Sequence, residues 1–598
     1  MINHSVYIPS VDAKDLYVFN HLNTSSKSEY TLLRPDGTVN LHKFSNAFDY
    51  SLDLVKLREV YQKVYRNSRF SFRNGEKEYS TRVINVTFKY STKRFNQYGP
   101  SLYVRFGYSP RDMVLENSVC LIDGELAAIQ TDTPVSKDQA LSADLLGKYF
   151  VYQDGQYQLN RNETLHTVAR LREELYENGF WCDGVHYVRF KRSSGSSRVG
   201  KCLFIDERLY PAMHKYELLG LKLMPGQPVD LAALEAYISL TMSSIMDTIE
   251  IPPESILVVD DFESVFKDRA AVTRVQDNRL YTQAAEVSIS NSIWDGQSLI
   301  DTSLLGPYAA YGMVLLRKNF FKSCCFNTNI QLFFQENNIT STEQLNGFTL
   351  AKDISQVKMI TTPSSIKFLK FGSLKQWLGR IDSTFGLVKH EKKPPFFEGS
   401  LVQTHYQLLN TLQLSRSQMQ AFLSQSFDYL DQLKKDPSVL RYHIHYPEAS
   451  HLAPGACRSK NDIVFQLLGL NEAFTRTRWY SDFRQKNIDA FKKNLRYGHV
   501  LINGNYSVLF GNPLEMLMQS IGQFSGEGLM EKGSIHSRRF PYDRVILGSR
   551  SPHVCAGNIL LASNRADKRL DHYFNLTDEI VCINSIGENI LQRLSGAD

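Results

Sequence analysis

Residues Val314 to Cys324 read VLLRKNFFKSC, an apolar run that carries three cations, Arg317, Lys318 and Lys322. It lies in a span, Ile256 to about Leu401, that is dense in short strands and turns. The window Tyr311 to Ser400 holds twelve Lys/Arg against six Asp/Glu, a local excess equal to the net charge of +6 on the whole chain. That concentration of charge has two readings. One is a solvated lysine-rich face; the other is a groove that meets phosphates.

Around this span the chain has 598 residues, too many for one hydrophobic core, so three or four domains are expected. Hydrophobic content of 42% and charged content of 22% are those of a folded globular protein. The 35 Phe and 31 Tyr supply anchors for cores and for base stacking. Eight cysteines are scattered without a C-x-x-C, and the adjacent pair Cys324 and Cys325 suits neither a disulfide nor a zinc site. A reducing, cytoplasmic setting is the expectation. Met1 to Ser5 has no basic or apolar leader character, and no uncharged apolar run is long enough to span a bilayer.

Periodicity sets the organisation. Leu54, Leu57, Val60, Tyr61 and Val64 fall at helical spacing, and Val83, Ile84, Val86 and Phe88 mark a strand in Ser80 to Tyr90. Asn162 is a candidate cap for a helix with Leu165, Val168, Leu171 and Leu175 on one stripe, stopped at Asn178-Gly179. His186–Lys191 and Lys201–Asp206 read as strands, and a helix comes after Pro228. Ser415 to Asp436 is helical, with Pro437 as its stop, and Asp462 to Arg496 reads as more helix ending at Gly498. From His499 onward the pattern returns to strands and turns. The apolar run ending at Ile583 is strand-like, and a polar loop leads to Ser595-Gly596-Ala597-Asp598.

Several chemistries are missing from the pattern. There is no P-loop, no G-x-S-x-G and no H-E-x-x-H. Gly522, Gly526 and Gly528 read as a mobile loop without a phosphate-binding lysine. His443, Ile444 and His445 alternate as on an exposed strand, with a metal site involving His451 as the other reading. Asp260-Asp261 at a strand end reads as a turn cap, with magnesium binding as the other reading.

Eight segments, in order, resemble the eukaryotic-type RNA-dependent RNA polymerases of RNA silencing. LYENGFWCDGVHYVRFKRSSGSSRVGKCLFI, Leu175 to Ile205, looks like the family's strand pair. WDGQSLI, Trp294 to Ile300, is similar to its D-G-x-G-x-I element, and VLLRKNFFKSC to Q-I-R-x-G-G-x-K-G. TTPSSIKFLKF, Thr361 to Phe371, resembles R-P-S-Q-x-K-F. LVQTHYQLLNTLQLS, Leu401 to Ser415, resembles the start of the connector, and LINGNYSVLFGNPLEM, Leu501 to Met516, resembles L-G-x-x-D-x-x-G-x-L. LGSRSPHVCAGNI, Leu547 to Ile559, resembles V-T-R-N-P-x-x-H-P-G-D-I. The last stretch, Ile580 to Asp598, resembles the approach to S-G-S-D-x-D-G-D.

The resemblance implies an α+β, multidomain fold: two double-psi β-barrels joined by a helical connector, behind a mixed α/β N-terminal region. The implied boundaries are 1–160, 161–255, 256–400, 401–498 and 499–598. It implies template-directed RNA synthesis from nucleoside triphosphates, with Mg²⁺ as cofactor and nucleic-acid template and RNA product as partners. Arg317 and Lys322, with Lys318, would face the triphosphate; Arg550 and His553 would contact template or nucleotide; Asp598 would be the first metal ligand. On that view the motif is cut at its first aspartate, and the chain alone is expected to be inactive, because one carboxylate cannot hold two metals. Arg484, Lys486, Lys492, Lys493 and Arg496 are expected on a connector helix, lining a nucleic-acid channel or lying on a solvated face. Departures are plain: Asn319, Phe320 and Phe321 replace family glycines, so a different backbone path is expected there. Gly557-Asn558 stands for Gly-Asp. The alternatives are a non-catalytic nucleic-acid-binding protein on the same scaffold, a DNA-dependent polymerase of the same barrel type, and a helicase-like or nuclease protein.

Overall fold

The computed structural model describes residues 4–13, 16, 31–88, 113–116, 119–122, 125–128, 150–153, 156–159, 165–193, 195–196, 200–226, 228–394, 396–445, 459–553 and 555–594. The chain divides into two compact units. One is Ile2–Ile245 together with Lys318–Phe320; the other is Met246–Arg317 together with Phe321–Asp598. The architecture is mixed α+β.

In the N-terminal unit a five-stranded sheet runs in the order Phe180–Cys182, Val185–Arg189, Lys201–Asp206, Val83–Thr87, Ser10–Asp12. Its central strands are apolar on both faces because both are covered. Ile84, Val86, Cys202 and Phe204 belong to one core, and Val83, Leu203 and Ile205 to a second. The second core is completed by Leu54, Leu57, Val60 and Tyr61 from the helix Leu52–Val64, whose cap Ser51 accepts a bond from the Leu54 N–H. The helix placed around Leu165 starts later than its stripe suggests. Leu165–Thr167 is a strand paired with Glu125–Ala128, and the helix is Val168–Asn178; the expected cap Asn162 lies outside the described residues. Gly179 ends it at φ +63°, where a Cβ would run into the Tyr187 carbonyl oxygen.

This unit also buries a charge cluster. Lys191 Nζ lies 2.7 Å from Asp53 Oδ2 and 3.1 Å from Glu217 Oε1, with all three side chains 3% exposed or less. Thr241 Oγ1 and the Ile238 carbonyl lie 3.1 and 3.2 Å from the same nitrogen and share its third proton.

In the larger unit the first strands are β1 (Asp247–Glu250), β2 (Ile256–Val258), β3 (Glu263–Gln276), β4 (Arg279–Ser292) and β5 (Gln297–Asp301). They are followed by β6 (Met313–Lys318), β7 (Phe321–Thr328), β8 (Phe348–Thr349), β9 (Met359–Thr361) and β10 (Thr384–His390). Eight of these make one sheet in the order β1-β10-β6-β7-β5-β9-β2-β8. The remaining two, β3 and β4, pair only with each other as a hairpin of 14 residues per strand. Asp277 and Asn278 make its tip with φ of +50° and +57°, the two left-handed positions that a tight hairpin turn demands.

A helical segment comes after β11 (Leu401–Gln403). It comprises α1 (Tyr406–Thr411), α2 (Arg416–Lys435), α3 (Pro437–His445), α4 (Lys460–Leu470) and α5 (Arg478–Arg496). Ser415 caps α2 in a reciprocal box with Gln418, worth about 1 kcal/mol. Pro437 both stops α2 and opens α3, because a first helical turn tolerates a missing N–H. His443 therefore lies on a helix and not on a strand, with Nδ1 2.9 Å from the Tyr429 hydroxyl; of the metal reading, His451 is outside the described residues. The single helix expected over 462–496 is two, separated by Asn471 and Thr477, each of which caps the next helical turn.

The chain then forms β12 (Leu501–Asn503), which pairs with β11, and β13 (Val508–Gly511), α6 (Pro513–Ser520), β14 (Ser534–His536), β15 (Arg544–Ser549), β16 (Ile559–Asn564), β17 (Ile580–Ile583) and α7 (Ile590–Arg593). The second sheet runs β13-β17-β14-β16-β15. The two sheets share one core: Leu299, Phe326 and Ile360 of the first pack with Phe510, Ile580 and Cys582 of the second. The Phe326 and Phe510 rings stack at 3.4 Å, 11° from parallel, which adds about 1 kcal/mol to their burial. The Gly522–Gly528 stretch is packed: Phe524 sets its ring against Phe262 at 5.1 Å and Trp294 at 5.7 Å.

Candidate functional site

The sheet gathers the quoted segments. Gly296 accepts from the Cys324 N–H at 2.8 Å and from Ser323 Oγ at 3.0 Å, so the start of β7 is fixed beside the Trp294-Asp295-Gly296 turn. A buried hydroxyl chain holds the third segment there. Ser298 Oγ lies 2.7 Å from both Ser323 Oγ and Thr361 Oγ1, and Ser365 Oγ donates to Ser323 at 3.1 Å. Lys367 Nζ stands 3.9 Å from Asp295 Oδ1. These hydroxyls and Lys367 lie within the quoted Trp294–Ile300, Val314–Cys324 and Thr361–Phe371 segments, whose reading gave them no role. Gln297 then binds the second sheet by both amide atoms, accepting from the Gly511 N–H at 3.1 Å and donating to its carbonyl at 3.2 Å. Asp261 accepts from the Ser364 N–H at 2.8 Å, as a turn cap does.

Within this frame Arg317 sits on β6 opposite Gly386 of β10, a partner with no side chain to fill the space. The guanidinium is partly buried and donates to the Leu316 carbonyl at 2.9 Å. Burial holds it below the usual arginine value. Lys322 is exposed at the start of β7, between buried Phe321 and Ser323. Among the described residues neither cation has a carboxylate within ion-pair distance. Lys318 departs from the expectation that it faces a ligand with them: it is 1% exposed. The turn that carries Asn319 and Phe320 includes one left-handed step. Phe320 adopts φ +56°, the region a glycine favours, and its side chain is fully buried. A phenylalanine thus takes the left-handed step at a cost of about 1–2 kcal/mol, held by its burial.

Arg550 and His553 stand elsewhere, after the edge strand β15 of the second sheet. The His553 N–H donates to Gln407 Oε1 of α1 at 3.2 Å, and burial, with His405 nearby, keeps its imidazole below the ordinary value. Asp598 lies outside the described residues. The segment leading to it is fastened: Ile590, Leu591 and Leu594 pack with Leu560 and Ala562, and Asn558 Nδ2 donates to the Arg593 carbonyl at 3.4 Å. Among the described residues no group of three or more His, Cys, Asp or Glu side chains is placed to hold a metal ion. On α5, Lys486, Lys493 and Arg496 are exposed, while Arg484 lies over the Tyr480 ring at 5.5 Å and Lys492 is 3.8 Å from Asp489. No helix among the described residues is long and apolar enough to cross a membrane.

No protein-family description matches the sequence, and no curated protein matches it. Among solved structures, the chain is similar to the RNA dependent RNA polymerase QDE-1 from Thielavia terrestris, with a TM-score of 0.48 and 14% identity. The superposition covers 74% of this chain and 46% of the polymerase, so the chain spans about half the length of that protein.

Proposed function

We propose that the larger unit is the framework of a template-directed RNA polymerase, in which Arg317 and Lys322 receive the phosphates of a nucleoside triphosphate. The observation that carries this reading is a pair of cations on neighbouring strands with no carboxylate partner among the described residues. A partly buried guanidinium over a glycine can take two phosphate oxygens at once, and an exposed ammonium supplies a compact charge beside it. The order of the motif-like segments, and their convergence on β5, β7, β9 and β13, support the same reading. The two sheets would be the two double-psi barrels. Arg550 and His553 would meet template or nucleotide, and Asp598 would offer a carboxylate to Mg²⁺. An RNA rather than a DNA template is favoured by the motif resemblance.

Nucleotide binding tests it directly. Displacement of a fluorescent ATP analogue should report triphosphate binding by the chain. Arg317→Ala and Lys322→Ala should each weaken it tenfold or more with the circular dichroism unchanged. Undiminished affinity in both variants would remove β6 and β7 from the site.

A further inference from the structure

A second surface in the larger unit stands on different residues. The helical segment buries Tyr429, Tyr480 and Phe491, each 4% exposed or less. Three tyrosines at its edge are not buried. Tyr406 is 45% exposed, Tyr497 61% and Tyr506 62%. Each is fixed at its root. Tyr406 is the first residue of α1; the Tyr497 N–H closes α5 on the Lys493 and Asn494 carbonyls; the Tyr506 hydroxyl donates to the Gln403 carbonyl at 2.7 Å.

The three belong to one patch. Gly498, next to Tyr497, has φ +87°, and a Cβ there would lie 3.1 Å from Tyr406 Cα, so glycine permits the two tyrosine-bearing segments to meet. Gln403 and Tyr406 are three residues apart on the same strand-to-helix turn. Cations border the patch. Lys493 Nζ lies 5.8 Å from the Tyr497 ring centroid. Gln407, next to Tyr406, holds the turn that carries Arg550 and His553.

Exposed aromatic faces bordered by cations match single-stranded nucleic acid, whose unpaired bases stack while its phosphates are neutralised. A duplex offers no free base faces, and an acidic protein surface would not need the rings. We propose that Tyr406, Tyr497 and Tyr506 form a stacking platform for the bases of a single strand whose phosphates meet Lys493 and Arg550. The backbone beneath Tyr406 and Tyr497 and the hydroxyl of Tyr506 are fixed before the strand arrives, so only the rings' own rotation is ordered on binding. This platform uses neither Arg317 nor Lys322 and shares only Arg550 with the proposed function; its failure is read from strand binding, that of the nucleotide reading from triphosphate binding.

The test is fluorescence anisotropy of the full chain with labelled twelve-nucleotide strands of RNA and of DNA, the matching duplexes, and an abasic strand of equal length. Intact single strands of either sugar should bind more tightly than duplex and than abasic strand. Tyr497→Ala should weaken the intact strand roughly 5- to 150-fold, the range of one lost base stack, and leave the abasic strand unchanged; Tyr497→Phe should restore it. Lys493→Ala should weaken intact and abasic strands alike. Equal affinity for intact and abasic strands, or a preference for duplex, would overturn the platform. So would a Tyr406→Ala, Tyr497→Ala pair that binds the intact strand as the unaltered chain does.

Discussion

Lys191 and Arg317 are both cations withdrawn from water, and the protein treats them in opposite ways. Lys191 is sealed among Asp53, Glu217, Thr241 and a backbone carbonyl. Arg317 has one carbonyl and an empty glycine position across the strand, with no carboxylate among the described residues. A fully compensated charge is part of the scaffold, since removing either sign strands the other. A half-buried cation without a counter-charge holds binding capacity that the fold itself does not use. The contrast separates structural from ligand-directed charge without reference to motif.

Lys191→Met should show the largest effect. It leaves Asp53 and Glu217 facing each other in the core, and urea unfolding should record a loss of about 3–5 kcal/mol. A second test uses pH. Burial first, and then the neighbouring Asp53, raise Glu217 from 4.5 to about 7 against the opposing pull of Lys191 and Arg189. A raised carboxyl favours the folded state while protonated. Its contribution is complete below pH 4.5 and is lost as pH climbs through about 7, up to about 3 kcal/mol. Urea midpoints at pH 5 and pH 8 should differ accordingly, and Glu217→Gln should flatten the difference.

Arg317→Met should behave oppositely to Lys191→Met. It removes a charge that has no partner, so stability should stay level or rise by about 1 kcal/mol. Triphosphate at a hundred times its Kd for the unaltered chain should stabilise that chain by about 2.7 kcal/mol and this variant by no more than about 1.4 kcal/mol. Equal destabilisation by the two Met variants would break the comparison. Lys322→Ala, at an exposed position, should shift stability by less than about 0.5 kcal/mol, readable as an unchanged melting temperature.

Local signals were legible where a side chain closes its own structure. Ser415 and Gly179 sit at their helix ends as read, and the strand Lys201–Asp206 is found as placed. Misreadings arose where one residue type serves two purposes. Pro437 ends one helix and begins another, and His443 alternates with His445 yet turns inward on a helix to meet Tyr429. The β3–β4 hairpin went unseen because its outer positions, Lys267, Arg269, Ala271 and Thr273, are exposed and mixed, so no period of two marks them. Its one sharp cue was the Asp277-Asn278 turn. For the site, the motif resemblance paired Arg317 with Lys322 but gave no hint that they stand on adjoining strands, that Lys318 is buried or that Phe320 keeps a left-handed backbone. Both outcomes depend on tertiary packing, which overrides local preference.

That hairpin is joined at its base to the last described residues almost wholly by neutral groups. Asn291 donates to the Ser585 and Glu588 carbonyls, the Gly587 N–H to Ser264, and Gln592 to Asn291; only Asn589 reaches a charged group, Asp268. The shaft carries the exposed Lys267–Glu286 pair at 3.9 Å. Concentrated salt screens such a pair and leaves short amide contacts untouched. The ribbon, about 45 Å long by its rise per residue, therefore loses little more than that one pair in brine, and its backbone ladder and its root against the last described helix keep their register.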